Sequence, residues 1–110
     1  MKKVINKQIW VLKDKDTFIF GLTNEGQDDF GNVTFVMLPK VGDKLEVGDT
    51  FAELEAEKAV TELITPLAGT IVEINNESLQ TPSVLDNPEE RKAWMIVMTD
   101  VSEEAFLNLD

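Results

Sequence analysis

The chain contains no cysteine and no histidine. Without cysteine no disulfide can form and the sequence says little about redox compartment; without histidine it lacks the usual base of nucleophilic triads and the commonest metal ligand. Most hydrolase and zinc readings fall away, and neither a catalytic residue nor a metal site is expected. Positive charge is scarce too: 10 Lys and Arg against 21 Asp and Glu give a formal charge of −11. Such a balance repels phosphate backbones and anionic membrane surfaces, so neither nucleic acid nor membrane is an expected partner, and basic protein patches are. Long apolar runs are missing as well. Residues 1–8 carry positive charge with no apolar segment after them, and no stretch approaches a membrane span, so the cytoplasm is the default location. At 110 residues one domain over 1–110 should bury roughly two-thirds of its unfolded surface, enough for a core without staples.

What is present is alternation with a period of two. In residues 51–64, Ala52, Leu54 and Ala56 alternate with Glu53, Glu55 and Glu57, and apolar residues return at Ala59, Val60, Leu63 and Ile64. Two short strands meeting at Lys58 account for this pattern, with the lysine held out in solvent at the tip. A nucleophilic lysine needs an apolar or cationic setting, whereas Glu53, Glu55, Glu57 and Glu62 surround this one and favour the ammonium. Lys58 therefore reads as an attachment point, modified by an enzyme that brings its own activated acyl group.

The rest of the chain reads as β-rich with short peripheral helices. Residues 4–12 form an opening in which Val4, Ile9, Trp10 and Val11 can pack, and residues 13–16 form a polar turn. Residues 17–23 make a second strand, followed by a loop or short helical turn over 24–30. Residues 33–38 are the most hydrophobic run, expected to be a core strand ending before Pro39. Two Gly-Asp turns follow, at Gly42-Asp43 and Gly48-Asp49. Residues 69–74 form another strand, ending in a turn at Asn75-Asn76. Residues 77–88 read as an ordered connection and 89–92 as a mixed-charge turn or short helix. Residues 93–98 make the closing strand, and Ser102 caps a short final helix. An internal repeat supports this layout: Pro39-x-x-Gly42 recurs as Pro66-x-x-Gly69, with Val36-Met37 aligned on Leu63-Ile64 and Leu45 on Val72. It suggests a quasi-twofold sandwich or flattened barrel, with the lysine hairpin and its counterpart at opposite ends.

The run Glu55-Ala56-Glu57-Lys58-Ala59-Val60, followed by Thr65-Pro66-Leu67-Ala68-Gly69, resembles the lipoyl-lysine hairpin of the glycine cleavage system H protein family. Trp10, residues 20–23 with Gln27 and Gly31, residues 33–42, Thr81-Pro82 and Trp94-Met95-Ile96 fit the same family in order. The resemblance implies a mainly β flattened barrel or sandwich of the lipoyl/biotinyl-carrier type. It further implies lipoate joined covalently to Lys58, with Glu55, Glu57 and Ala59 in ligase or partner recognition. The protein would be a carrier without an active site of its own, expected to be a monomer. A lipoate ligase or lipoyltransferase would load it. Oxidised lipoyl would then accept an aminomethyl group from glycine decarboxylase, pass its one-carbon unit to tetrahydrofolate on an aminomethyltransferase, and be reoxidised by dihydrolipoyl dehydrogenase.

Several positions depart from that pattern. Gln8 stands where a histidine is common, Glu25 where an aromatic is common, and Glu57 where an apolar residue usually precedes the lysine. Arg91, Lys92 and Ala93 replace a glycine-rich approach to Trp94, and the tail is short. These departures also fit the H-like paralogues linked to lipoate scavenging. In that reading the protein relays lipoyl groups through an amidotransferase and is a redox-signalling substrate of a sirtuin-type ADP-ribosyltransferase. A biotin carrier fits less well, because its lysine is normally flanked by methionines. A 2-oxoacid dehydrogenase lipoyl domain would need a flexible linker that is absent here, and a non-carrier interaction module is the remaining alternative.

Overall fold

Nine strands, three short α-helices and two 3-10 helices, at Pro82–Asp86 and Glu90–Lys92, lie within residues 1–109, which the structure, a computed structural model, describes. The strands are β1 (Lys2–Ile5), β2 (Ile9–Asp14), β3 (Thr17–Leu22), β4 (Val33–Met37), β5 (Lys44–Leu45), β6 (Thr50–Ala56), β7 (Val60–Ile64), β8 (Gly69–Ile74) and β9 (Trp94–Thr99). The α-helices are α1 (Asn24–Phe30), α2 (Asn76–Gln80) and α3 (Glu103–Leu107). A six-stranded sheet runs β1-β2-β3-β9-β8-β5 and a three-stranded sheet runs β4-β6-β7, with every pairing antiparallel.

The two sheets face one another across a shared core, where Phe20 of β3 meets Phe51 of β6 edge-on with ring centroids 5.2 Å apart. They form the expected flattened sandwich and do not close into a ring. Alternation decides which residues enter the core. Val11, Phe18, Phe20 and Leu22 point inward from the large sheet, and Leu54 and Leu63 from the small one. Trp10 lies on the other face of β2 in a separate cluster with Ile19 and Val97, and its indole Nε1 donates to the Leu22 carbonyl at 2.9 Å. A side chain at Gly21 would run into that indole and into the Ala93 carbonyl, so the tryptophan fixes a glycine on the next strand.

The turns follow their residues. Gly42 and Gly48 adopt φ of 99° and 96°, and the Asp43 and Asp49 carboxylates accept from the Lys40 and Glu46 N–H groups at 2.9 and 2.7 Å. These two turns flank β5. Ser102 caps α3 by accepting from the Ala105 N–H at 3.1 Å. The ammonium of Lys3 donates to the Leu107 and Leu109 carbonyls at 2.6 and 2.8 Å, tying β1 to the end of α3.

Four expectations are corrected. β4 is not a core strand: only Val33 and Val36 are buried, and Phe35 and Met37 are about half exposed at 47% and 52%. A register shift between Val33 and Phe35 turns the strand's phase, so Val33 and Val36 face the core while Phe35 and Met37 face solvent. Val4 is exposed on β1, outside the packing expected of it. Asn75 does not end the β8 strand in a simple turn but precedes α2, and its buried amide donates to the Trp94 carbonyl at 2.8 Å. The repeat holds for the strands, since β4 and β7 flank β6 and β5 pairs with β8. However, Gly31, which the repeat aligns with Lys58, packs against the lysine tip instead of lying opposite it.

Candidate functional site

The lysine hairpin forms as the alternation implies. Glu53 pairs with Glu62, Leu54 with Thr61, and Glu55 with Val60; Leu54 is buried and both glutamates of β6 face outward. The Ala56 N–H donates to the Ala59 carbonyl at 2.9 Å, leaving Glu57 and Lys58 as the two tip residues. Neither has the positive φ of the turns usual in tight hairpins.

The tip is held from outside. The Lys58 N–H donates to the Phe30 carbonyl at 2.9 Å and the Glu57 N–H to the Asn32 carbonyl at 3.1 Å. The Glu57 carboxylate accepts from the Asn32 N–H at 2.9 Å, and the Lys58 ammonium donates to the Asp28 carbonyl at 2.8 Å. Two of these bonds fix backbone and two fix side chains, and all run to the C-terminal end of α1 and the residues just after it. A cation there also suits the negative end of the helix, whose last turn has no basic residue of its own. Lys58 is thus exposed, as expected, but it leans on α1 and does not project freely.

Helix α1 is itself well fixed. The Thr23 hydroxyl caps its start, accepting from the Gly26 N–H at 2.9 Å and donating to the Lys7 carbonyl at 2.6 Å. The Gln27 amide donates to the Leu85 and Asn87 carbonyls, both at 2.8 Å, and Phe30 is buried in the core. Gly31 ends the helix at φ 78°, and a side chain there would meet the Glu57 Cβ at 3.0 Å. The Gln8 amide reaches the Asp29 carboxylate of α1 at 3.2 Å. Glu25 is exposed on the first turn.

Among the other residues singled out by sequence, Glu55 lies on the outward face of β6, beside the tip and not on it. Ala59 is half-buried and packs against the core beneath the turn. Sequence reasoning missed Asn32, the carbonyls of Asp28 and Phe30, and Asp86. A cleft of about 590 Å³ opens between the tip, α1 and the segment from Asp86 to Pro88. Burial raises the Asp86 carboxyl above the ordinary aspartate value, its bonds from the Val33 N–H at 3.1 and 3.3 Å oppose that shift, and the nearby Glu57 charge adds to it. Among the described residues no group of acidic side chains is arranged to hold a metal ion, and no helix is long and apolar enough to cross a membrane.

What this arrangement offers chemically is a single primary amine on a braced turn beside an open cleft. Comparison with known proteins points the same way. Residues 2–110 match the family model described as Glycine cleavage H-protein. The chain is 38% identical over 109 residues to the glycine cleavage system H-like protein of Staphylococcus aureus strain Mu50, covering 99% of this chain and 97% of that protein. It is 37% identical over 100 residues to the glycine cleavage system H protein of Oceanobacillus iheyensis, covering 91% of this chain and 79% of that one. The fold is similar to the crystal structure of a glycine cleavage system H protein from Mycobacterium marinum, with a TM-score of 0.80, 25% identity, and coverage of 93% of this chain and 87% of that one.

Proposed function

Because the chain belongs to the glycine cleavage H-protein family, a family of lipoyl carriers, we propose that it carries lipoate as an amide on Nζ of Lys58, acting as one domain over residues 1–110. The observation that supports this most is the bracing of the Lys58 turn by the Phe30 and Asn32 carbonyls. A modifying enzyme must find one lysine among many, and a turn already ordered on folding adds little ordering entropy to that encounter. The residues present fit the group: Lys58 is exposed, a cleft lies beside it, and its ammonium meets a carbonyl and, among the described residues, no carboxylate.

Bound there, lipoate supplies disulfide–dithiol redox and group-transfer chemistry that the chain's own side chains do not. The protein's part is positional. Phe30 and Asn32 hold the tip, Glu57 holds Asn32 in return, and Ala59 seats the turn on the core. Glu55, with Glu57 and Ala59, forms the surroundings a ligase or partner meets. The protein is then a cytoplasmic, monomeric carrier, loaded by a lipoate ligase or lipoyltransferase. It serves glycine decarboxylase, aminomethyltransferase and dihydrolipoyl dehydrogenase, and has no active site of its own.

Intact mass after incubation with lipoate and a lipoate ligase tests this directly. The expected result is one lipoyl group on the parent chain and none on Lys58→Arg. No gain with several competent ligases would sink the carrier reading.

A second reading is favoured by the match to the Staphylococcus aureus H-like protein along 97% of its length. In it the loaded chain passes lipoyl groups through an amidotransferase to dehydrogenase subunits, and a sirtuin-type ADP-ribosyltransferase modifies it. The Glu57 bond to Asn32 gives that residue a role within the fold, so its charge is not by itself an argument for the relay. Full glycine decarboxylase activity with the loaded parent chain, unimproved by Glu57→Val, argues for glycine cleavage. Lipoyl transfer from this chain to dehydrogenase subunits argues for the relay.

A further inference from the structure

The outer face of the three-stranded sheet combines two features that stability alone does not explain. Its apolar residues are unusually open: Val60 is 79% exposed, Met37 52%, Ile64 49% and Phe35 47%. Between them runs a strip of acids. Phe35, Glu55 and Val60 form one row across the sheet, and Met37, Glu53 and Glu62 form the next. Glu53 and Glu62 stand directly opposite on paired strands, where like charges about 5 Å apart at Cβ destabilise the pair. Among the described residues the two ion pairs are Lys2–Glu90 and Lys92–Glu89, so none of the three sheet glutamates has a cationic partner. The face begins at Val60, two residues from Lys58.

We propose that this face is where the enzyme that acylates Lys58 docks, covering it with arginine or lysine side chains set between apolar groups. The proposal rests on the carrier reading and extends it to the chemistry of recognition. A second copy of this chain is a poor occupant, because it would bring three further glutamates and a net charge of −11 against the same strip. A basic surface relieves the Glu53–Glu62 repulsion and covers the exposed valine, isoleucine, phenylalanine and methionine in one contact. Docked there, it reaches the hairpin tip along β7. Loading then joins Nζ of Lys58 to the activated acyl carbon held by the enzyme. The ammonium first gives one proton to solvent so that its lone pair can attack; the activating group then leaves the acyl carbon with the bonding pair, and the second nitrogen proton passes to solvent.

The test is the rate of lipoyl mass gain with a lipoate ligase, measured against the concentration of the unmodified chain at low and high salt. The double variant Glu53→Gln, Glu62→Gln is expected to raise KM about tenfold at low salt with kcat within about twofold, and to flatten the salt dependence. Val60→Ser is expected to raise KM at both salt concentrations. Glu77→Gln with Glu103→Gln, which removes two charges from exposed positions elsewhere, should load like the parent. The sheet double variant should melt at or above the parent temperature, since it removes a like-charge pair, and this separates weaker docking from unfolding. Parent-like KM and salt response in that variant would overturn the proposal while leaving the carrier reading intact, and so would an equal loss in the distant variant. A parent chain that gains no lipoyl group would overturn both.

Discussion

Two hairpins in this molecule present a lysine at the tip among acidic neighbours, and they are held in different ways. The β2–β3 turn carries Lys15 at φ 56° between Asp14 and Asp16, beside a cleft of about 340 Å³. Its bonds are mostly its own: the Thr17 hydroxyl donates to the Asp14 carbonyl at 2.8 Å and the Lys13 ammonium to the Lys15 carbonyl at 3.0 Å, with one long 3.4 Å bond from Thr99 to Asp16. The β6–β7 turn has no residue at positive φ, and its tip N–H groups find acceptors at the end of α1 and just beyond it. Exposure, a neighbouring cleft and nearby carboxylates are therefore common to both. The distinguishing feature of Lys58 is that a separate, capped helix braces its backbone.

The largest test of that difference is loading itself. Lys58→Arg should abolish lipoyl mass gain with melting almost unchanged, because the arginine still donates to the Asp28 carbonyl, and Lys15→Arg should load normally. Loss of loading in Lys15→Arg, or a large melting loss in Lys58→Arg, would reverse the roles assigned to the two tips. Next comes a pair of glycine variants read by denaturant unfolding. Gly69→Val forces a side chain against the Thr99 carbonyl and Val101 and should cost about 3 kcal/mol, while the folded fraction loads at the parent rate. Gly31→Val combines the strained φ with a collision at Glu57 and should cost about 2 kcal/mol; there the folded fraction should load more slowly, because the brace itself is displaced.

Smaller effects sharpen the picture. Glu57→Val leaves the Asn32 N–H to water and should cost about 0.5–1 kcal/mol, and should lower the Asp86 pKa toward its ordinary value. Asp86→Asn should have the least effect. The folded-state pKa of Asp86 is raised, so the folded protein holds that proton more tightly than the unfolded chain. Its carboxylate therefore weakens stability above the raised pKa, and the penalty fades as pH falls through that value to the ordinary aspartate value of 3.8. The asparagine variant should be slightly more stable than the parent at neutral pH and equal to it below that window, as measured by paired unfolding curves across pH.

The strands, the two Gly-Asp turns, the Ser102 cap and the lysine tip were legible because each rests on local chemistry: period-two alternation, positive-φ glycines and short polar caps. Burial along β4 was not. The run from Val33 to Leu38 is largely apolar in both phases, and only the pairing with β6, with its register shift between Val33 and Phe35, decides which residues meet the core. The brace was equally hidden, since Glu57 and Asn32, far apart in sequence, come together where the β4–β6 pairing runs on past Val33 and Ala56. Glu57 looked anomalous by sequence because its partner lies in another element. Gln27 matched the family motif, but its two bonds to the Leu85 and Asn87 carbonyls reveal a strut supporting α1.

The brace also determines how anything attached to Nζ would explore space. A flexible arm rooted in a mobile loop blurs its own origin, and its free end is diluted over the combined motion of arm and root. Rooted at a turn whose backbone is bonded into a second element, the arm alone sets the search volume. The effective concentration of its free end near the hairpin is then on the order of millimolar for a short tether. A partner seated on the outer face of the small sheet and another seated over the cleft would each meet that end with no backbone movement needed between the two encounters.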